Sequence, residues 1–501
     1  MPTEEKIIVA IELGSSKVTA LAGRKNPDGA IHILAHEQKP SSAFIRKGRI
    51  NNTNKMTQCA KDIKEKIEKK LNKTVSLAYV GIGGMGMHTV SNTETRNLGE
   101  RTKVTQEIID DILEANKSVM TGERVILGTI PQEYRIGGTQ LTNEPVGTLT
   151  ESIEGNFLNV MANATVTQDV VDCFRPAKIG IAGMPISPLV LADAILDEST
   201  RRSGCVFIDM GAETTSVAVY KNNILRHLAV IPLGGANVNR DITSLQIEDD
   251  EAEELKLNFG TALVEDDDNE NHEPVQLRDG RHIKYEEFEG LVEARMEEII
   301  LNINNQIKQS GYDRSQLIGG LIITGGAANM KNIDRAFEKY TGFSKLRFVK
   351  NIRLPLRLSG KEASTFNADG SFNTVLAIID KGGKNCCGSE LGSNGLWSDE
   401  EQKPSTTVTA TTAPGSESPV TPQPAKVQAT AAPEQAKPAE ANSTPEEISQ
   451  GKIEEDGNKK EKSGGLFSKL RRLGAKLGQW VSVDEEIEDG NNGTKKTDSK
   501  Q

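Results

Sequence analysis

The sequence predicts an α/β protein of two related lobes, followed by a disordered C-terminal tail. Three observations predict it. Residues 7–22 (IIVAIELGSSKVTALA) and 206–220 (VFIDMGAETTSVAVY) share one pattern: a β-rich run, an acid, a Gly/Ser/Thr turn and a second β-rich run. Helix-like segments alternate with strand-like ones in both halves, which signals an α/β sandwich rather than helical packing. Near Lys384 the composition turns to Pro, Thr, Ala, Ser, Glu and Gln with almost no large apolar residues, so the chain beyond cannot bury a core.

Each element follows from its pattern. The hairpin at 7–22 is succeeded by an amphipathic helix at 52–72 and the strand VSLAYVGIGG. The second hairpin opens the second half. Near its end, LIGGLIITGGAANMKNIDRAFEKYTG reads as a buried strand, a Gly-Gly turn and an amphipathic helix. The linker of about 80 residues has an expected span of roughly 50 Å. It ends in GGLFSKLRRLGAKLGQWV, residues 464–481, where Leu466, Leu470, Leu473, Leu477, Trp480 and Val481 share one helical face beside Phe467. Lys469, Arg472 and Lys476 line a flank of that face, with no acid among them. A stripe with no domain beside it needs an external apolar surface, and basic flanks with a boundary Trp suit anionic lipid headgroups. A partner-docking or calmodulin-target-like helix is the alternative.

Composition narrows the function. The formal net charge of −11 over 501 residues argues against a general nucleic-acid binder. No apolar run reaches the roughly 18–20 residues needed to span a bilayer. The opening MPTEEKIIVAIELG runs through acids straight into a strand, unlike a secretory signal. Five cysteines and six histidines show no metal spacing, so reduced structural thiols are expected, with no metal held wholly by protein side chains. The acidic segments at 248–254 and after Val264 read as solvated surface.

Three segments carry the chemistry. Gly14, Ser15 and Ser16 offer backbone N–H groups and hydroxyls to phosphate, with Lys17 as a point charge. Gly211, Thr214 and Thr215 repeat the arrangement. Glu12 and Asp209, at the strand ends, would hold magnesium through its water shell. Gly325 and Gly326 lie where a strand hands over to a helix, permitting close approach of a nucleoside.

These motifs, with IPLGGANVNRDI, AEELKLNFG, IPQEYRIGG and NEPVG, resemble the actin-like ATPase superfamily and, more closely, the FtsA family of bacterial cell-division proteins. The resemblance runs through most of residues 5–384. It implies an actin-like two-lobed fold of duplicated RNase H-like domains with an inserted 1C-type subdomain. In those terms the first lobe (1A) takes 1–83 and 166–203, and the insertion (1C) takes 84–165. The second lobe (2A) takes 204–235 and 316–384, and subdomain 2B takes 236–315. The disordered linker is 385–463, the membrane-targeting helix 464–481 and a polar tail 482–501.

The resemblance also implies ATP and Mg2+ as cofactors. Met330 joins Gly325 and Gly326 in the adenosine motif, and Glu253 and Lys256 match the ribose- and adenine-side helix. Arg295 matches the grip on the acidic C-terminal tail of FtsZ. It further implies filaments of the chain with itself, later divisome partners through 1C, and a place on the cytoplasmic face of the membrane at the division septum. Glu12 stands where the family usually has Asp. The extra methylene moves the carboxylate by roughly 1.5 Å, so slow or absent turnover is expected. The polar tail, with its DEEIED run, follows a helix that usually ends the family's chains. A sugar- or acetate-kinase-like phosphotransferase on the same fold lacks an identifiable base here. A chaperone ATPase would need a β-rich peptide-binding domain where this chain has its linker.

Overall fold

β1 (Ile8–Leu13) and β2 (Lys17–Lys25) pair antiparallel, in a register that runs from Ile8 opposite Gly23 to Leu13 opposite Val18. Side chains alternate across a strand, and here both faces are covered: Ile8, Ala10 and Leu21 enter one apolar layer, Val9, Ile11 and Val18 another. That is why the run is apolar without alternation. β3 (Ile31–Pro40) continues the meander. A tight hairpin of β4 (Ile45–Arg46) and β5 (Arg49–Ile50) follows. α1 (Thr53–Leu71) begins at Asn52, whose side chain accepts the Lys55 N–H at 3.0 Å, and stops at Asn72 in the left-handed region. It buries Met56, Ile63 and Ile67 against the outer face of the first sheet, each stabilising the lobe by about 1.5–3 kcal/mol. After β6 (Lys73–Val75), β7 (Leu77–Gly81) lies parallel to β1.

The computed structural model describes residues 6–118, 122–264, 273–358, 366 and 370–390, all within one compact unit. The linker beyond 390, the amphipathic helix at 464–481, the polar tail and most of the acidic segment after Val264 lie outside the described residues.

An insertion leaves the first lobe after β7. β8 (His88–Lys103), α2 (Gln106–Lys117), β9 (Arg124–Ile136), β10 (Gln140–Thr142) and β11 (Leu149–Asn163) build an antiparallel sheet in the order β10-β9-β11-β8. Val104, Ile109, Ile112, Ile153 and Phe157 fill its small core. α3 (Thr165–Phe174) and β12 (Gly180–Gly183) return to the first sheet, and α4 (Ser187–Ile195) and α5 (Glu198–Ser203) lead onward.

β13 (Cys205–Met210), β14 (Thr215–Lys221) and β15 (Ile224–Ile231) then repeat the opening meander. α6 (Gly235–Thr243), α7 (Asp249–Phe259), a minor hairpin of β16 (Val275–Gln276) and β17 (His282–Ile283), and α8 (Tyr285–Gln309) follow. β18 (Gly320–Thr324), α9 (Ile333–Thr341) and β19 (Leu346–Phe348) complete the second sheet. The first sheet runs β12-β7-β1-β2-β3; the second runs β19-β18-β13-β14-β15. Each places two parallel neighbours on one side of a three-stranded meander. The same topology occurs twice, as the paired hairpin motifs imply.

One part of the chain departs from the expected partition. β20 (Leu356–Leu358) pairs with β3, α10 (Asn373–Lys381) packs into the layer between the sheets, and β21 (Cys387–Glu390) pairs with β6. Residues expected in the second lobe thus return to the first. Folded structure also passes the linker start at 385, because Cys386 and Cys387 are buried apolar residues in a segment otherwise polar. All five cysteines are free and buried, and burial pushes the Cys59 and Cys173 thiols up to about 11.

Candidate nucleotide-binding cleft

The two hairpin turns are built alike. Gly14 and Gly211 each sit two residues after the strand-end acid, and a Cβ on either would meet the carbonyl oxygen three residues on, Lys17 O at 2.7 Å and Thr214 O at 3.0 Å. Only glycine lets the turns close this tightly. Gly211 N–H donates to Thr214 O at 2.8 Å, and the turn rests on the start of α6 through Gly235 N–H to Gly211 O at 3.0 Å.

Glu12 and Asp209 occupy matching places on β1 and β13, and the Asp209 charge acts on Glu12. Burial, then the Asp209 charge, pushes the Glu12 carboxyl up to about 7, and burial pushes Asp209 up to about 6. Thr374 and Lys17 act on Glu12 in the opposite direction. Two carboxyls resisting ionisation side by side are an electrostatic deficit that a divalent cation would offset. The donor set fits hydrated Mg2+.

Gly325, at φ +97°, is forced by the same corner: a Cβ there would lie 2.3 Å from Met210 O and 2.7 Å from Asp209 Oδ1. Above Gly326 the space is open to at least 4 Å, room for a planar group against the backbone. Met330 reaches the end of α7, its Sδ 3.0 Å from where a Gly260 Cβ would stand. On α7, Lys256 Nζ donates to Glu253 Oε2 at 2.7 Å, and Asn239 Nδ2 of α6 donates to the same carboxylate. Asn239 Oδ1 is buried with no protein donor, a polar atom placed to receive one from a ligand.

Two expected phosphate-side hydroxyls are already engaged. Ser15 Oγ accepts Gly48 N–H at 2.8 Å, and Thr215 Oγ1 donates to Leu233 O at 2.8 Å. Ser16 is exposed and Thr214 half-buried. Sequence reasoning missed Asn239 and Glu213; the latter's signal was an acid standing in a turn of small residues.

Arg295 differs from the expected surface cation. Its guanidinium is about four-fifths buried and forks onto Asp241 of α6, Nε to Oδ2 at 2.5 Å and Nη2 to Oδ1 at 2.8 Å, with Glu298 as a further partner. It ties α8 to α6 because the acid lies across the helix interface, which a one-helix pattern does not reveal. Arg295→Glu should bring three acids together and lower unfolding stability by about 2–3 kcal/mol. Urea unfolding checks this, and an unchanged midpoint would contradict it.

A second expectation concerns pH. A carboxyl raised in the native state is ionised at a cost, so its contribution to stability is lost as pH rises from about 4.5 through about 7. Glu12→Gln removes that cost. With Glu12 retaining some solvent contact, the nucleotide-free variant should be more stable than the parent by about 2 kcal/mol at pH 8 and equal to it near pH 4.5. Thermal melts across that range measure it; a lower midpoint at pH 8 would refute it.

A family profile described as cell division protein FtsA matches residues 206–376, which hold the second turn, α6 to α9 and the Gly-Gly corner. The profile of the SHS2 domain inserted in FtsA matches 84–161, the insertion's sheet. Along both segments the chain is similar to cell division protein FtsA. Cell division protein FtsA of Neisseria meningitidis serogroup B is 27% identical over 346 residues, 68% of this chain and 83% of the relative. That of Escherichia coli strain K12 is 25% identical over 394 residues, 76% and 91% of the two chains. The solved PilM-PilN type IV pilus biogenesis complex matches at a TM-score of 0.53 and 14% identity, over 76% of this chain and 99% of that one. This last likeness bears on fold alone, and the fold is the actin-like one that the repeated topology describes. Among the described residues no helix is long and apolar enough to cross a membrane.

Proposed function

We propose that this chain is an ATP-binding adaptor of cell division. ATP lies between the lobes, its phosphates against the Gly14–Ser16 and Gly211–Thr214 turns and its nucleoside between Gly326, Met330 and the Glu253/Lys256 face of α7. Glu12 and Asp209 hold Mg2+ through water; the ion supplies positive charge to the phosphates. The matched acid-glycine corners at the head of both sheets carry this reading. With Glu12 in place of Asp, hydrolysis is slow.

Subunits assemble into filaments. The FtsZ C-terminal tail docks on the surface that the Arg295–Asp241 tie holds together, and the 84–165 region meets later division proteins. The helix at 464–481 attaches the assembly to the cytoplasmic face of the membrane at the septum. One such helix binds marginally, and assembly makes the attachment avid. Pelleting of the full chain with anionic vesicles, with and without ATP and Mg2+, tests the whole. ATP-enhanced pelleting is expected; pelleting indifferent to ATP and to lipid charge would refute it.

A further inference from the structure

The β4–β5 turn meets both phosphate turns and the root of the insertion. Its Gly48 N–H donates to Ser15 Oγ of the first phosphate turn at 2.8 Å. Its Lys47 N–H donates to Glu213 Oε2 of the second turn at 2.6 Å, and Arg46 Nη1 donates to Oε1 at 3.1 Å. Its Lys47 carbonyl accepts Met85 N–H, at the root of the insertion, at 2.8 Å.

The turn is fitted to these contacts. Lys47 and Gly48 stand at φ 49° and 74°, and their successive N–H groups reach two separate acceptors, one on each phosphate turn. Gly48 and Gly84 touch backbone to backbone: a Cβ on Gly84 would lie 2.5 Å from Gly48 O. Glu213 is 4% exposed, and a carboxylate buried to that degree persists only when fully paired. Its pairs come from both lobes, since Arg240 of α6 also donates to it. The Arg46 and Arg240 side chains are half-exposed, so the acid is the fixed point and the arginines close upon it.

We propose that Glu213 is a positioning residue that locks both phosphate turns to the Arg46–Arg49 turn, so that occupancy of the cleft is transmitted to the root of the inserted subdomain at Gly84–Met87. The argument rests on the cleft being a nucleotide site. A phosphate settling between the turns shifts Ser15 and Glu213 together, and the one rigid turn that holds both also carries Met85. Met87 extends the path, its carbonyl accepting Val230 N–H at 2.9 Å beside the pair that joins β15 to β8. Without Glu213 the lobes keep their separate ATP contacts but lose the shared strut.

Hydrogen–deuterium exchange on the full chain, with and without ATP and Mg2+, tests this. In the parent, ATP should slow exchange across residues 84–92 at least about fivefold. In Glu213→Gln, and in Arg46→Met, whose side chain is half-exposed, that difference should vanish. In Arg46→Met, which lies outside both phosphate turns, fluorescent-ATP affinity should stay within about fivefold of the parent, the low end of such couplings. ATP binding by the parent with no change at 84–92 overturns the coupling and spares the nucleotide site; absence of ATP binding overturns both. Variants that retain the full ATP-dependent difference refute the role of Glu213. So does faster exchange throughout the molecule, since it marks only lost stability.

Discussion

Asp209→Ala should weaken magnesium-dependent ATP binding by about ten- to a hundredfold, the equivalent of 1.4–2.8 kcal/mol. The carboxylate stands at the corner where β13, the Gly211 turn and Gly325 converge, so close that a Cβ on Gly325 would meet Oδ1 at 2.7 Å. Among the described residues, Asp209 is the carboxylate whose charge acts on Glu12. Protons and the cation compete for the same oxygens, and both carboxyls titrate near neutrality. Parent affinity should therefore climb between pH 6 and pH 8, with a shallower slope in the variant. Calorimetric titration with Mg2+ and with a chelator separates the metal's share. Equal affinity in parent and variant would remove Asp209 from the site.

Trp480→Glu should abolish co-sedimentation with anionic vesicles. On the proposed membrane attachment, losing the surface that Trp480 would bury costs about 1.5–3 kcal/mol, and the added acid would meet anionic headgroups, more than a single marginally bound stripe can offset. Trp480 fluorescence should move to the blue on vesicle addition while Trp397 stays unchanged. ATP binding should be untouched, because the long Pro- and Thr-rich stretch separates the helix from the cleft. Truncation after Val481 removes DEEIED and should bind at least as tightly. Full vesicle binding by Trp480→Glu would favour a protein partner for the helix instead.

Local features were legible. Each hairpin announces itself through strand, acid and small-residue turn within about fifteen residues, and α1 and α9 through their apolar spacing. Distant pairings were not. β20 and β21 are short, and their partners β3 and β6 lie more than 300 residues earlier, so no periodicity announces their return to the first lobe. Glu213 and Arg295 were obscured for the same reason. An isolated acid or arginine reads as surface until Arg46 or Asp241 is brought beside it by the fold. Thr215 has the right chemistry for phosphate, yet its hydroxyl proton goes to Leu233 O, whereas Ser15 only accepts from Gly48 N–H and keeps its own proton to donate.

The last strand has a mechanical meaning. Cys386 N–H donates to Ile7 O at 2.7 Å, Ser76 N–H and Leu77 N–H both donate to Cys386 O, and Tyr79 Oη accepts from Gly383 N–H and Lys384 N–H. Every one of these grips belongs to the first sheet or the strand leading into it. Tension on the chain beyond Glu390 therefore enters through β6, β7 and the N-terminal edge of β1. The protein has a towing point. It is set at the opposite end of β1 from Glu12, so a pull applied beyond Glu390 would be drawn along the strand that carries Glu12.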